Sequence, residues 1–200
     1  MERPLSAKVG TNADLFPDIL QIHVLEGSRI LDMTYGRGVF WKFVDKRKYD
    51  LITNDLYMDA NLRVDFRDTG LPESFFDAVV LDPPYMHSTG GIKASLSDCY
   101  KNNDSIVLKT QKDIRNLYLG GIKEAHRLLK DRGILIVKCQ DAIESGKENW
   151  NHVAIMTVDG FHCVDLFVLV QKSRPLVAAQ WKTVRHARKN HSFFVVLRKE

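Results

Sequence analysis

The sequence predicts an α/β domain built on a doubly wound, mostly parallel β-sheet, and three observations carry that expectation. Stretches with apolar residues at helical spacing alternate with short apolar runs of strand type. Two of the runs, residues 78–81 and 134–137, are apolar throughout, the pattern of strands buried on both faces. Parallel neighbours need helical crossovers, and the alternation supplies them. A chain of 200 residues, 44% hydrophobic and 27% charged, suits one domain with a sizeable core, which excludes a disordered or fibrous protein.

Taken in order, Leu15, Ile19, Ile22 and Leu25 recur at helical spacing behind Asn12 and Asp14, either of which can cap the helix. Ile30-Leu31 follows as a short strand. Val39 to Val44 continues as a helix from a glycine turn, and Leu51-Ile52 reads as a second strand before Asn54-Asp55. Leu62 to Phe66 supplies a third. Ala78 to Leu81 is the fourth, stopped by Pro83-Pro84. Residues 87–110 are mostly small or polar with no apolar period and predict a long loop of the lid or binding type. Ile114, Leu117, Ile122, Ala125, Leu128 and Leu129 mark an amphipathic helix, and Gly133 opens the strand Ile134 to Val137. Two last strands are expected at Leu166 to Val170 and Phe193 to Leu197. No repeat, low-complexity stretch or linker divides the chain, so residues 1–200 are expected to form a single domain.

The net charge of +4 is uneven: residues 171–200 hold eight Lys or Arg against one acid, leaving that end at +7 and the rest at −3. Such polarity suits a nucleic-acid phosphate backbone as partner, and equally a solvated basic surface. No apolar run approaches the roughly 20 residues that span a bilayer, and Met1-Glu2-Arg3-Pro4 lacks a secretory core, so a soluble, cytoplasmic chain without a membrane partner is expected. Cys99, Cys139 and Cys163 are odd in number and far apart, which predicts reduced thiols rather than disulfides. His186 and His191 lack a third ligand in sequence, so no metal is assigned.

In a doubly wound sheet the ligand lies at the carboxyl ends of the strands, so the polar residues after each strand are the candidates. The first strand runs into Asp32-Met33-Thr34-Tyr35-Gly36-Arg37-Gly38, whose glycines let a backbone turn approach a ligand closely. Trp41 stands where a third glycine of a dinucleotide fingerprint would fall, which tells against a pyrophosphate. Asp55 follows the second strand, where a carboxylate can accept the hydroxyls of a ribose. Together they suggest an adenosine-containing ligand without a pyrophosphate. After the fourth strand comes Asp82-Pro83-Pro84-Tyr85: two prolines remove amide donors and leave carbonyl acceptors, Asp82 adds a carboxylate, and Tyr85 a flat face. That set matches a planar heterocycle with an exocyclic amine.

These residues resemble the class I S-adenosylmethionine-dependent amino-methyltransferases, specifically the DNA adenine-N6 and cytosine-N4 group, and the resemblance covers most of the chain. Asp32, Met33, Thr34, Gly36 and Gly38 resemble its cofactor motif, although members commonly carry Asp-Pro-Phe where this chain has Asp32-Met33-Thr34. Asp82, Pro83, Pro84 and Tyr85 resemble its catalytic DPPY motif. The resemblance implies S-adenosylmethionine as cofactor, with Asp55 and Leu56 holding ribose and adenine, Asp65 and Phe66 reading the adenine edge, and Phe16 beside the methionine part. It further implies a Rossmann-like, seven-stranded sheet with an antiparallel last strand paired to the sixth.

The implied reaction is methyl transfer to an exocyclic amino nitrogen of a DNA base. Asp at the first motif position favours adenine N6 over cytosine N4. Guanine-N2 methyltransferases of tRNA also carry DPPY, usually followed by Gly and joined to an RNA-binding domain, whereas Met86 follows here. A cofactor-binding, non-catalytic subunit is the remaining alternative, and the intact DPPY argues against it. Arg185, Arg188 and Lys189 are expected at phosphates, and Lys138 either at substrate or in a stabilising ion pair. With no separate target-recognition domain, selectivity would come from the 87–110 loop, the 171–191 segment or a partner protein; the sequence leaves the oligomeric state open.

Overall fold

The computed structural model describes residues 4–85, 108, 110–171, 186, 187 and 189–200. The expected 87–110 loop therefore falls outside the described residues except at Leu108 and Thr110, and Met86, Cys99, Arg185, Arg188 and most of the 171–191 segment fall outside them too. The elements are β1 (Ala7–Val9), α1 (Asn12–His23), β2 (Arg29–Asp32), 3₁₀ turns at Val39–Phe43 and Lys46–Lys48, β3 (Asp50–Thr53) and β4 (Phe76–Leu81). There follow α2 (Gln111–Leu128), β5 (Leu129–Cys139), β6 (Ala142–Glu144), β7 (Lys147–Asn149), α3 (Asn151–Met156), β8 (Phe161–Val170) and β9 (His191–Lys199).

Seven strands form one sheet in the order β1-β8-β9-β5-β4-β2-β3, and β6-β7 is a separate hairpin. β9 runs antiparallel to β5 and β8, and the other pairings in the sheet are parallel. Side chains alternate along β4, and each set meets its own layer. Ala78 and Val80 join Leu15, Phe16, Ile19 and Trp41 on the α1 face. Val79 and Leu81 join Ile114, Tyr118, Ile122 and Ile155 on the α2 and α3 face. The doubly wound class is as expected, and the order reverses between β3 and β4 around β2, where such sheets place ligands.

The seventh strand is not the expected one. Leu62 to Phe66 forms no strand and touches the sheet through a single bridge, Asn54 to Leu62. Its backbone is satisfied by a side chain instead: the Asn54 amide donates to the Val64 carbonyl at 3.0 Å and its oxygen accepts the Val64 amide at 3.0 Å. A bracketed residue of this kind needs no strand partner. The count is restored at the far edge by β1, which pairs in parallel with β8.

Other elements differ in detail. α1 is capped by Thr11, whose amide and hydroxyl both donate to Asp14 (2.8 and 2.6 Å), rather than by Asn12 or Asp14. It ends at His23, so Leu25 lies outside it and is exposed, as is Ile22. The helix expected over Val39 to Val44 is a 3₁₀ turn of five residues. β5 begins directly after α2, but its register with β4 jumps from Phe76↔Leu129 to Ala78↔Ile134, so regular pairing resumes at Ile134. No described helix is long and apolar enough to cross a membrane.

Candidate active site

A cavity of about 350 Å³ opens where β2, β3, β4 and β5 end, within the size range of small-molecule pockets. Its floor is built by the glycine turn after β2. Gly36 and Gly38 both adopt positive φ, which favours glycine at each, and a Cβ at Gly38 would also lie 2.5 Å from the Tyr35 hydroxyl. Asp32, 2% exposed, organises the turn from beneath. The Trp41 indole donates to Asp32 Oδ2 at 2.7 Å and the Thr34 amide to Oδ1 at 3.1 Å. Burial nevertheless pushes the Asp32 carboxyl up to about 7, with the Asp82 and Asp55 charges adding to the rise and the two hydrogen bonds opposing it.

Asp55 fastens the other side of the turn. Its Oδ2 accepts the Gly36 amide at 2.9 Å, and its Oδ1 accepts the amides of Tyr57 and Met58 at 2.9 and 2.8 Å. Among the described residues three of roughly four acceptor sites on this carboxylate are thus used, which leaves one for a ligand hydroxyl. Leu56, Tyr57 and Met58 continue the wall, followed by Val64, Asp65 and Phe66. The Arg67 guanidinium grips Asp65 at 2.6 Å and holds its carboxyl below the ordinary range. Asn54, buried, ties this wall to the turn by donating to the Met33 carbonyl at 3.0 Å as well as to Val64.

Opposite stands Asp82-Pro83-Pro84-Tyr85. The Asp82 amide donates to Thr34 Oγ1 at 2.7 Å, which joins the ends of β4 and β2. Asp82, Pro84 and Tyr85 line the cavity, while Pro83 is buried and not among its lining residues. Burial pushes the Asp82 carboxyl above the ordinary carboxylate range, and Lys138 acts in the opposite direction. Asp82 Oδ1 is buried without a hydrogen-bond partner among the described residues; the Lys138 ammonium is 3.7 Å away, an ion-pair distance but too long for a hydrogen bond.

The expected cofactor residues Asp32, Met33, Thr34, Gly36, Asp55, Leu56, Asp65 and Phe66 therefore share one cavity with the DPPY segment. Two others stand behind it. Gly38 starts the 3₁₀ turn, and Phe16 is fully buried against Phe40 and Trp41, with ring centroids at 5.1 and 5.2 Å; Phe40 takes its place on the wall. Lys138 lines the cavity and is 2% exposed, with its ammonium toward Asp82. Lys189 lies with its ammonium 3.1 Å from Glu148 and 4.6 Å from the Trp150 ring centroid. The Asn54 bracket and the Trp41–Asp32 bond were missed by sequence reasoning, although an amide directly after a strand, like Asp55 beside it, was a readable signal.

No family model matches the chain, and no curated protein sequence matches it. Its fold, by contrast, is shared with solved methyltransferases. TrmN from Thermus thermophilus superposes with a TM-score of 0.57 at 16% identity, over 93% of this chain and 48% of that one, so this chain spans about half its length. An rRNA methylase from Streptococcus thermophilus gives 0.51 at 14% identity, over 96% of this chain and 98% of that one. The 1,6-didemethyltoxoflavin-N1-methyltransferase of Burkholderia thailandensis, solved with bound 1,6-didemethyltoxoflavin and S-adenosylhomocysteine, gives 0.58 at 12% identity, over 94% of this chain and 78% of that one. At such identities the likeness shows the fold, that of the class I Rossmann-like methyltransferases.

Proposed function

We propose that the chain is an S-adenosylmethionine-dependent methyltransferase acting on an exocyclic amino nitrogen of a nucleic-acid base. The observation that carries this reading is the unpartnered Asp82 Oδ1, buried in a cavity whose other wall is the glycine turn with Asp55. An unsatisfied buried acceptor is costly unless a ligand donor completes it. The cofactor's adenosine part suits Phe66, Leu56 and the free acceptor site of Asp55. When bound, it would supply an electrophilic methyl to the amine and leave as the thioether, and the proton displaced from the nitrogen would pass to solvent water.

The residues of the chain orient that amine. Asp82 accepts one of its protons, which draws the ring-delocalised lone pair onto nitrogen, and Tyr85 stacks on the base. Their contribution is positioning and preorganised charge rather than full proton abstraction. In a duplex the base must leave the stack, at a few kcal/mol.

Two substrates fit. Resemblance through Asp82-Pro83-Pro84-Tyr85 favours adenine N6 of DNA, with cytosine N4 beside it. The name of the rRNA methylase favours RNA, where guanine N2 is the corresponding amine. In either case D82A tests the chemistry: alanine removes the acceptor and leaves the cofactor side of the cavity in place. Turnover should fall at least about 100-fold with cofactor affinity within about twofold, measured by single-turnover transfer and calorimetry. Unchanged turnover would remove Asp82 from the reaction.

A further inference from the structure

Lys138 is a buried charge lining the cavity that the reading above does not use. Its neighbourhood is fixed by the sheet: the residue pairs with Phe194 across the β5–β9 ladder, and the Tyr118 hydroxyl donates to its carbonyl at 3.0 Å. From that anchor the ammonium reaches two groups of the DPPY segment at once, Asp82 Oδ1 at 3.7 Å and the Tyr85 ring, whose centroid is 4.6 Å away. Burying an ammonium is unfavourable unless the surroundings need its charge.

We propose that Lys138 is the positioning residue of this site: it keeps Asp82 in the ionised, accepting form and braces one face of Tyr85, so that carboxylate and ring meet the target amine as one preset unit. The inference rests on the amino-methyltransfer reading and deepens it. The distances carry the argument. At 3.7 Å the ammonium supplies charge without occupying an Asp82 lone pair, which leaves Oδ1 open for the amine proton. A cation against one face of Tyr85 leaves the other face for a base. The charged and titratable groups around Asp82 are Lys138 and Cys139 of β5, Asp32 at the end of β2, Asp55 after β3, and Tyr85 on its own loop. Burial favours a protonated Asp82, and Lys138 works against it.

The test needs neither cofactor nor substrate. Aspartate labelled with ¹³C at the carboxyl is titrated by NMR in the wild type, K138M and K138R, with Asp82 assigned by its loss in D82N. Removing an opposite charge at this distance should raise the Asp82 midpoint by at least about one pH unit in K138M, whereas K138R should stay within about half a unit of the wild type. K138Q replaces K138M if the latter does not fold. A midpoint unmoved by loss of the charge overturns the proposal, whatever the enzyme methylates. With turnover as readout, K138M should lose activity at low pH and regain it as the pH rises; an equal loss at every pH marks a merely structural lysine and likewise overturns it. Failure of the methyltransfer reading itself would show separately, as no labelled product from the wild type.

Discussion

Asparagine in place of Asp32 should abolish a pH dependence of stability that the buried carboxyl imposes. Burial raises Asp32 from 3.8 to about 7, while its bonds from Trp41 and Thr34 pull downward. A folded-state value above the unfolded one means that, between the two, the folded chain holds a proton the unfolded chain has released. The stabilising contribution is therefore complete below about pH 4 and is lost as the pH rises through about 7. About three pH units at about 1.4 kcal/mol each give about 4 kcal/mol across the window. D32N does not titrate, and its amide oxygen can still accept from the Trp41 indole. Urea unfolding of both proteins from pH 4 to 8 supplies the assay, because titrating groups away from Asp32 cancel in the difference. The stability of the wild type relative to D32N should fall nearly linearly by about 4 kcal/mol and level off above about pH 7. A difference that stays constant over this range refutes the burial argument.

Two further substitutions probe the walls of the cavity. N54A strips partners from the Met33 and Val64 carbonyls and the Val64 amide and should cost about 2–4 kcal/mol in urea unfolding; a loss under about 0.5 kcal/mol would show that the bracket is dispensable. G121A places a methyl 2.9 Å from the Phe66 ring and 3.0 Å from Leu81. It should cost about 1–3 kcal/mol and, because Phe66 lines the cavity, weaken S-adenosylmethionine binding several-fold. Calorimetry showing full affinity would dissociate Phe66 from the cofactor.

What was legible in the sequence depended on how local its cause was. Ala78 to Leu81 and Ile134 to Val137 announce themselves because a strand buried on both faces has no polar positions to blur it, and Pro83-Pro84 marks where β4 must stop. The glycine turn, Asp55 and DPPY were readable for the same reason, each lying just after a strand. β1 was not, since three residues, Ala7-Lys8-Val9, carry no period and pair only because β8 offers an edge. Leu62 to Phe66 has strand composition but a side-chain partner in Asn54, a contact no window over the segment can reveal. Lysine is ordinarily an exposed residue, so the burial of Lys138 beside Asp82 became visible only when β4 and β5 were set side by side.

The central claim is that this site methylates an exocyclic amine of a nucleic-acid base. The most direct measurement is transfer of labelled methyl from S-adenosylmethionine to unmodified DNA and to bulk tRNA, followed by mass analysis of the nucleosides. The account predicts a label that disappears with D82A and resides on an amino nitrogen: N6-methyladenine or N4-methylcytosine for DNA, N2-methylguanine for tRNA. Label on a ring carbon or a ribose hydroxyl, or on neither polymer while the cofactor binds, would contradict it.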